Sequence, residues 1–393
     1  MLSSTIFRRS TGLLFGLLLA TACTDPYLPE AIKSPPSYLV VDGFLNAQGV
    51  TTIKLSRTYA VNAASVPPVE IKATTYVEEE AGTRTLLREA PAGTYTSTNT
   101  SLNPARRYRL HIYTVDGREY ASDFVPVKIT PPIDRLGWRA EPDGLRIALD
   151  AHDPTNATRY YRWDYIETWE INPVYRPQVE FKSGTFDFPD IAVPYPTKCW
   201  NTAISTTVLL TNTTPLSQDV VADRVLRLLP PSSDRLNTRY SLLVQQYALT
   251  KEEFAYWELL RKNTESIGSL FDAQPVQLTG NVRCLSTPTE LALGFVSAHT
   301  LVEKRLFVAR RELPNPWPTP TGYEACVPPD TVYFKNLAPK NPLQDLNSFF
   351  GPKLLLPIDR LYDGGRIVGY TAKSRDCIDC RLRGTSTKPS YWP

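Results

Sequence analysis

Tyr108-Arg109-Leu110-His111-Ile112-Tyr113 and Glu119-Tyr120-Ala121-Ser122-Asp123-Phe124 flank Asp116-Gly117. Aspartate then glycine between two runs rich in aromatic and β-branched residues is a strong hairpin signal, because a tight two-residue turn needs positive φ. The stretch therefore reads as antiparallel β, and the same rhythm continues on its amino-terminal side.

Tyr38–Phe44, Thr52–Ser56, Val69–Val77, Arg84–Leu87 and the turn Gly93-Thr94-Tyr95 all carry the short-strand pattern. About seven short strands at this spacing predict an immunoglobulin-like β-sandwich over residues 38–130, without the Cys…Trp…Cys mark of true immunoglobulin domains. Ile129-Thr130-Pro131-Pro132 marks a boundary, since proline cannot sit in a central strand. Residues 131–393 then read as a larger β-rich domain, with strands at Arg146–Asp150, Tyr160–Glu170, Arg239–Leu249, Leu291–Ser297 and Arg305–Val308. One amphipathic helix near 250–263 interrupts it. Thr250 and Glu253 form a capping-box pattern, and Phe254, Trp257 and Leu260 make the apolar stripe. From Pro314 onward the chain reads as Pro-rich and irregular.

The first 22 residues read as a targeting segment: Arg8 and Arg9, an apolar run from Leu13 to Ala20, then Cys23 directly after small residues. That run is too short for a bilayer-spanning helix, which needs roughly 20 apolar residues. A cysteine at the first mature position predicts lipid attachment at Cys23. Residues 23–37, with Asp25-Pro26-Tyr27-Leu28-Pro29, read as a Pro-rich tether. Thr24 in place of aspartate after the cysteine favours the outer membrane over the inner one.

Removing 22 of 393 residues leaves 371, and the loss of two arginines takes the net charge from +3 to +1. Such a balance gives no reason to expect nucleic acid. Thirty-five prolines and twenty-one tyrosines fit short strands and ordered loops. With Cys23 lipidated, Cys199, Cys284, Cys326, Cys377 and Cys380 remain in a disulfide-permissive compartment, so two bridges and one spare thiol are expected, with the pairing open. Cys377-Ile378-Asp379-Cys380 lacks the strand-to-helix setting of a redox motif, and no histidine lies close enough in sequence to suggest zinc.

Alternation along Tyr160–Glu170 places Tyr161, Trp163, Tyr165 and Trp169 on one face. Trp163, Tyr165 and Trp169 are the candidate ligand-stacking residues, against the plainer reading that they fill a core. Asp164, Glu167 and Glu170 do not suit a glycosidase pair. On a strand Glu167 points opposite to the other two, which stand roughly 20 Å apart. Asp164 and Glu170 read as solvated, and Glu167 as needing a partner or a place near the strand's wet end. His111, His152 and His299 form no metal motif, and no nucleophile elbow occurs. No catalytic residue, metal or cofactor is expected.

Several stretches together carry a family likeness: Tyr38-Leu39-Val40-Val41-Asp42-Gly43, Leu55-Ser56-Arg57-Thr58, Tyr161-Arg162-Trp163 with Glu167-Thr168-Trp169-Glu170, and Tyr240–Tyr247. Gly268–Asp272, Gly280–Cys284, Asp379–Gly384 and Lys388-Pro389-Ser390-Tyr391-Trp392 complete the set. The chain resembles the domain-of-unknown-function family 4249, lipoproteins of Bacteroidota-type Gram-negative bacteria, over essentially its whole mature length. The resemblance implies an outer-membrane lipoprotein encoded beside a TonB-dependent receptor, hence an accessory or substrate-binding partner near nutrient import, and supplies no catalytic residues. The alternatives are a freestanding glycan- or peptide-binding or adhesion module and, further off, a hydrolase.

Overall fold

The computed structural model describes residues 37–59, 66–182, 185–187, 195–265, 278, 280–318, 320–333 and 342–393. Cys23, the targeting segment, nearly all of the tether and the 268–272 stretch lie outside them. The described chain is mainly β with two α-helices.

Eight strands run in sequence through the amino-terminal body: β1 (Leu39–Asn46), β2 (Gln48–Arg57), β3 (Thr74–Glu79), β4 (Arg84–Glu89), β5 (Thr94–Ser101), β6 (Arg107–Tyr113), β7 (Glu119–Ser122) and β8 (Val125–Lys128). The Asp116-Gly117 hairpin forms between β6 and β7, with Gly117 at φ +82°. Leu39, Val41 and Leu45 of β1, with Ile53, Leu55, Leu110 and Ile112, point into one shared core.

The second body starts at β9 (Ile133–Glu141) and β10 (Gly144–His152), continues through β11 (Tyr160–Ile171), the short hairpin β12 (Glu180–Lys182) and β13 (Thr185–Asp187), β14 (Cys199–Ile204), β15 (Leu209–Asn212) and β16 (Val220–Leu229), and reaches β17 (Arg239–Ala248). Strands β16-β10-β9 form one sheet. Its partner sheet has order β14-β11-β17, with β15 also on β11, and gains β21 (Val302–Ala309) beside β17. Leu145, Ile147 and Leu149 of the first sheet share a core with Trp163, Tyr240, Leu242 and Val308 of the second. The two sheets thus pack face to face.

Helix α1 (Lys251–Glu265) follows β17. The chain then returns to the first body as β18 (Val282–Cys284), β19 (Ala292–Leu293) and β20 (Ala298–His299). Strand β20 pairs in parallel with β1 on one side and with β8 on the other, while β8 also pairs β6. The circuit β6-β3-β4-β5-β2-β1-β20-β8 is therefore closed into an eight-stranded barrel. This corrects the immunoglobulin-like sandwich expected for residues 38–130. Residues 282–299, placed by sequence in the larger domain, supply the closing strand. Closure satisfies the backbone groups that open edges would expose. Gly294 permits the approach, because a Cβ there would meet the Val41 carbonyl oxygen at 2.1 Å.

The carboxyl-terminal region is also more ordered than its prolines suggest. Strands β22 (Asp330–Tyr333), β23 (Leu355–Asp363) and β24 (Arg366–Ser374) form a sheet of order β22-β24-β23, and α2 (Pro342–Phe350) contributes Leu346 and Phe350 to the same core as Val332 and Tyr370. Two disulfides, Cys199–Cys380 and Cys326–Cys377, tie the chain end down, and Cys284 is free and buried. Past Cys380 the chain lies along the paired-sheet body: Thr385 bridges Trp200, the Tyr391 hydroxyl meets Thr168 Oγ1 at 2.9 Å, and Trp392 packs edge-on to Trp200 and Phe307.

Candidate functional site

A cavity of about 580 Å³ opens where the barrel, the paired-sheet body and α1 meet. Strand alternation supplies its walls. On β1, residues 39, 41 and 45 enter the barrel core, which leaves Val40, Asp42 and Phe44 to face outward. On β20, Ala298 enters that core and His299 faces the cavity. On β11 the odd-numbered aromatics point between the sheets, so Arg162 and Asp164 turn outward to the same space.

Four nearly inaccessible polar side chains line this cavity: Arg162, Glu253, His299 and Ser297, at 8%, 3%, 1% and 3% exposure. The Arg162 guanidinium stacks on Trp257 at 3.9 Å and on Tyr247 at 4.5 Å, and pairs with Asp164 at 3.1 Å. Glu253 Oε1 accepts from Ser297 Oγ at 2.8 Å and from Trp257 Nε1 at 3.4 Å. His299 stacks on Phe44 at 4.2 Å. Arg162 Nε, Glu253 Oε2 and His299 Nδ1 have no hydrogen-bond partner among the described residues. Native interiors rarely leave such groups unpaired, so three around one cavity make it the candidate ligand site.

Burial sets their charge. It pushes the Glu253 carboxyl up to about 7, against the pull of Arg162 and its hydrogen bonds. Burial, and then the nearby Arg162 charge, push the His299 imidazole down to about 3. Near pH 6 Glu253 is protonated and His299 neutral. Because Oε1 already accepts two donors, the carboxyl proton belongs on Oε2. Below about pH 7, Arg162 Nε–H and Glu253 Oε2–H are thus two spare donors beneath aromatic walls that include Phe44, Tyr247, Tyr256, Trp257 and Phe295.

None of these residues was singled out by sequence as a site. Thr250 does cap the helix, its Oγ1 accepting from the Glu253 N–H at 3.1 Å. The Glu253 side chain, however, turns inward to Ser297 instead of closing a capping box. A glutamate at this helical position beside Trp257 carried the only local hint.

The sequence candidates lie elsewhere. Trp163 is wholly buried, and Tyr165 and Trp169 are buried too, all within the core between the sheets. Trp163 Nε1 donates to Gln246 Oε1 at 2.8 Å. Trp163 and Tyr165 are taken up by packing, while Trp169, with Arg235 stacked on it at 4.4 Å, borders a small cleft of about 80 Å³. Glu167 has the partners it needed: Arg227 at 3.1 Å, Arg235, and the Tyr240 hydroxyl at 2.7 Å. Asp164 is partly exposed as expected, whereas Glu170 is buried beneath Lys198 at 3.0 Å, a correction to its solvated reading. Cys377 and Cys380 bridge to Cys326 and Cys199 and not to each other. The one grouping of metal-type ligands among the described residues, Cys326, Asp376 and Cys377, has both sulfurs in a disulfide.

Fold and cavity together define a mainly β protein in which a closed barrel and a pair of facing sheets enclose a ligand-sized, aromatic-walled space. The chain belongs to the family described as Domain of unknown function (DUF4249), whose profile matches residues 24–305. No curated protein matches it. Among solved structures it is aligned with one described as "Biofilm associated protein - BSP domain", at 9% identity over 87% of this chain and 76% of that one. The TM-score of 0.15 is too low for that likeness to carry any argument.

Proposed function

We propose that this protein is a non-enzymatic binding protein that holds a small organic ligand in the cavity between barrel and paired sheets, as a lipid-anchored outer-membrane accessory of a TonB-dependent receptor. The observation that carries the binding role is the trio of buried, unpartnered polar groups on Arg162, Glu253 and His299. Two donors and aromatic walls fit a ligand with an acceptor-bearing head, such as a carboxylate, on a flat or apolar body. The volume of about 580 Å³ lies within the usual range for small-molecule pockets. No cofactor or metal enters this reading.

The anchor rests on the targeting segment and Cys23, and the receptor on the family likeness. Cross-linking intact cells, solubilising gently and recovering the tagged protein tests the partnership. Near-stoichiometric recovery of a TonB-dependent receptor supports it. Recovery of the protein alone, where other outer-membrane complexes survive, replaces it with a freestanding binding module.

A further inference from the structure

A second concave site lies at the opposite end of the outer face of β11. Arg162 marks the cavity end of this strand and Glu170 the other, eight residues or roughly 26 Å away at ~3.3 Å per residue. There the carboxyl-terminal segment frames a cleft of about 380 Å³ whose charged lining is Lys198, Arg239, Arg310, Arg311, Lys388 and the single acid Glu170.

Glu170 balances Lys198 alone, at 3.0 Å. Arg239 donates to the main-chain oxygen of Pro393 at 3.4 Å and Arg310 to Asn237 Oδ1 at 3.1 Å. Arg311 and Lys388 are exposed and make no hydrogen bond or ion pair among the described residues. Leaving aside Arg239, which meets Pro393, the cations Arg310, Arg311 and Lys388 share one cleft without a carboxylate among the described residues to offset them, and like charges at such range repel. The same cleft is lined by Trp200 and Trp392, which are 7% and 4% exposed, and whose indole N–H groups have no partner among the described residues. An indole N–H only donates, as do lysine and arginine. Apart from Glu170 Oε1, which faces Lys198, the spare polar groups here ask for an acceptor, and the charge asks for more than one negative unit.

We propose that this cleft binds a multiply charged phosphate oxyanion, with Arg311 and Lys388 as its principal ligands. Arginine supplies forked donors matched to phosphate oxygens, and lysine a compact charge. The oxyanion comes either from a lipid headgroup or from a soluble phosphate. The site is separate from the aromatic-walled cavity and does not depend on what that cavity holds.

Titration calorimetry on the full chain in neutral detergent provides the test, with two probes: inorganic pyrophosphate and dihexanoyl phosphatidic acid kept below its micelle concentration. The expected result is one saturable site per chain for at least one probe. The Arg311→Glu/Lys388→Glu double variant weakens it tenfold or more, and Lys54→Glu on the barrel leaves it unchanged. Tighter binding of the phosphatidic acid assigns the site to a headgroup, and equal or tighter binding of pyrophosphate to soluble phosphate. Circular dichroism on the double variant separates a lost site from a lost fold. Absence of saturable binding for both probes, or equal binding by wild type and a folded double variant, overturns the proposal.

Discussion

Glu253 on α1 and His299 on the barrel's closing strand approach to 3.8 Å, both almost wholly buried, and burial disfavours the charged form of each. An ion pair there would lose its hydration without full hydrogen bonding in return. Arg162, Asp164, Asp42, Tyr247 and Tyr256 are the other charged or titratable groups around them.

The two residues impose opposite pH slopes. Glu253 rises from 4.5 to about 7 on folding, so its stabilising effect is full below pH 4.5 and is lost as pH rises toward 7. Glu253→Gln does not titrate, so its stability relative to wild type climbs across that window by up to about 3 kcal/mol. Urea unfolding of both proteins from pH 4 to 8 checks this, and a flat difference refutes it.

His299 falls from 6.5 to about 3, so its contribution is present above 6.5 and is lost as pH drops toward 3. Relative to wild type, His299→Gln gains stability as pH falls below 6.5. The same unfolding series reads the opposite sign from the glutamate variant.

Trp163 fills the core between the facing sheets. Trp163→Ala is expected to cost about 3–5 kcal/mol, as large aromatic deletions do. A near-neutral change in denaturant midpoint would return the aromatic ladder to the list of ligand sites.

Glu167 compensates Arg227 and Arg235 and accepts from Tyr240. Glu167→Leu strands both guanidinium groups and is expected to cost about 3–5 kcal/mol. Pairing it with Arg235→Met in a double-mutant cycle is expected to show strong coupling between the two positions.

Cys199–Cys380 spans 181 residues and Cys326–Cys377 spans 51. Peptide mapping without reduction is expected to recover these two links and no 377–380 link. Cys199→Ser/Cys380→Ser is expected to lower stability by about 2–5 kcal/mol. Cys284 is expected to alkylate only on unfolding, because it is buried.

How much of this was legible in the sequence follows from the range of each signal. The Asp116-Gly117 hairpin and the α1 cap are local, so the residues that make them also announce them. Barrel closure is not local. Strand β20 has only two residues, and Thr130 meets Thr300 across 170 positions, so no periodicity marks the pairing. Alternation along β11 correctly grouped Tyr161, Trp163, Tyr165 and Trp169, yet which face was inner depended on a second sheet. Glu253 was hidden because a buried acid and a capping acid occupy the same helical position. Glu170 was hidden because its cover, Lys198, comes from a neighbouring segment. The carboxyl-terminal sheet was missed because prolines masked strands held in place by two disulfides.

Native mass spectrometry of the protein released gently from its own membrane tests the central claim most directly. The account predicts one non-covalent adduct of a few hundred daltons per wild-type chain, released on denaturation and absent from a folded Arg162→Ala variant. A bare wild-type chain, or an adduct that Arg162→Ala retains in full, would contradict the cavity as the ligand site.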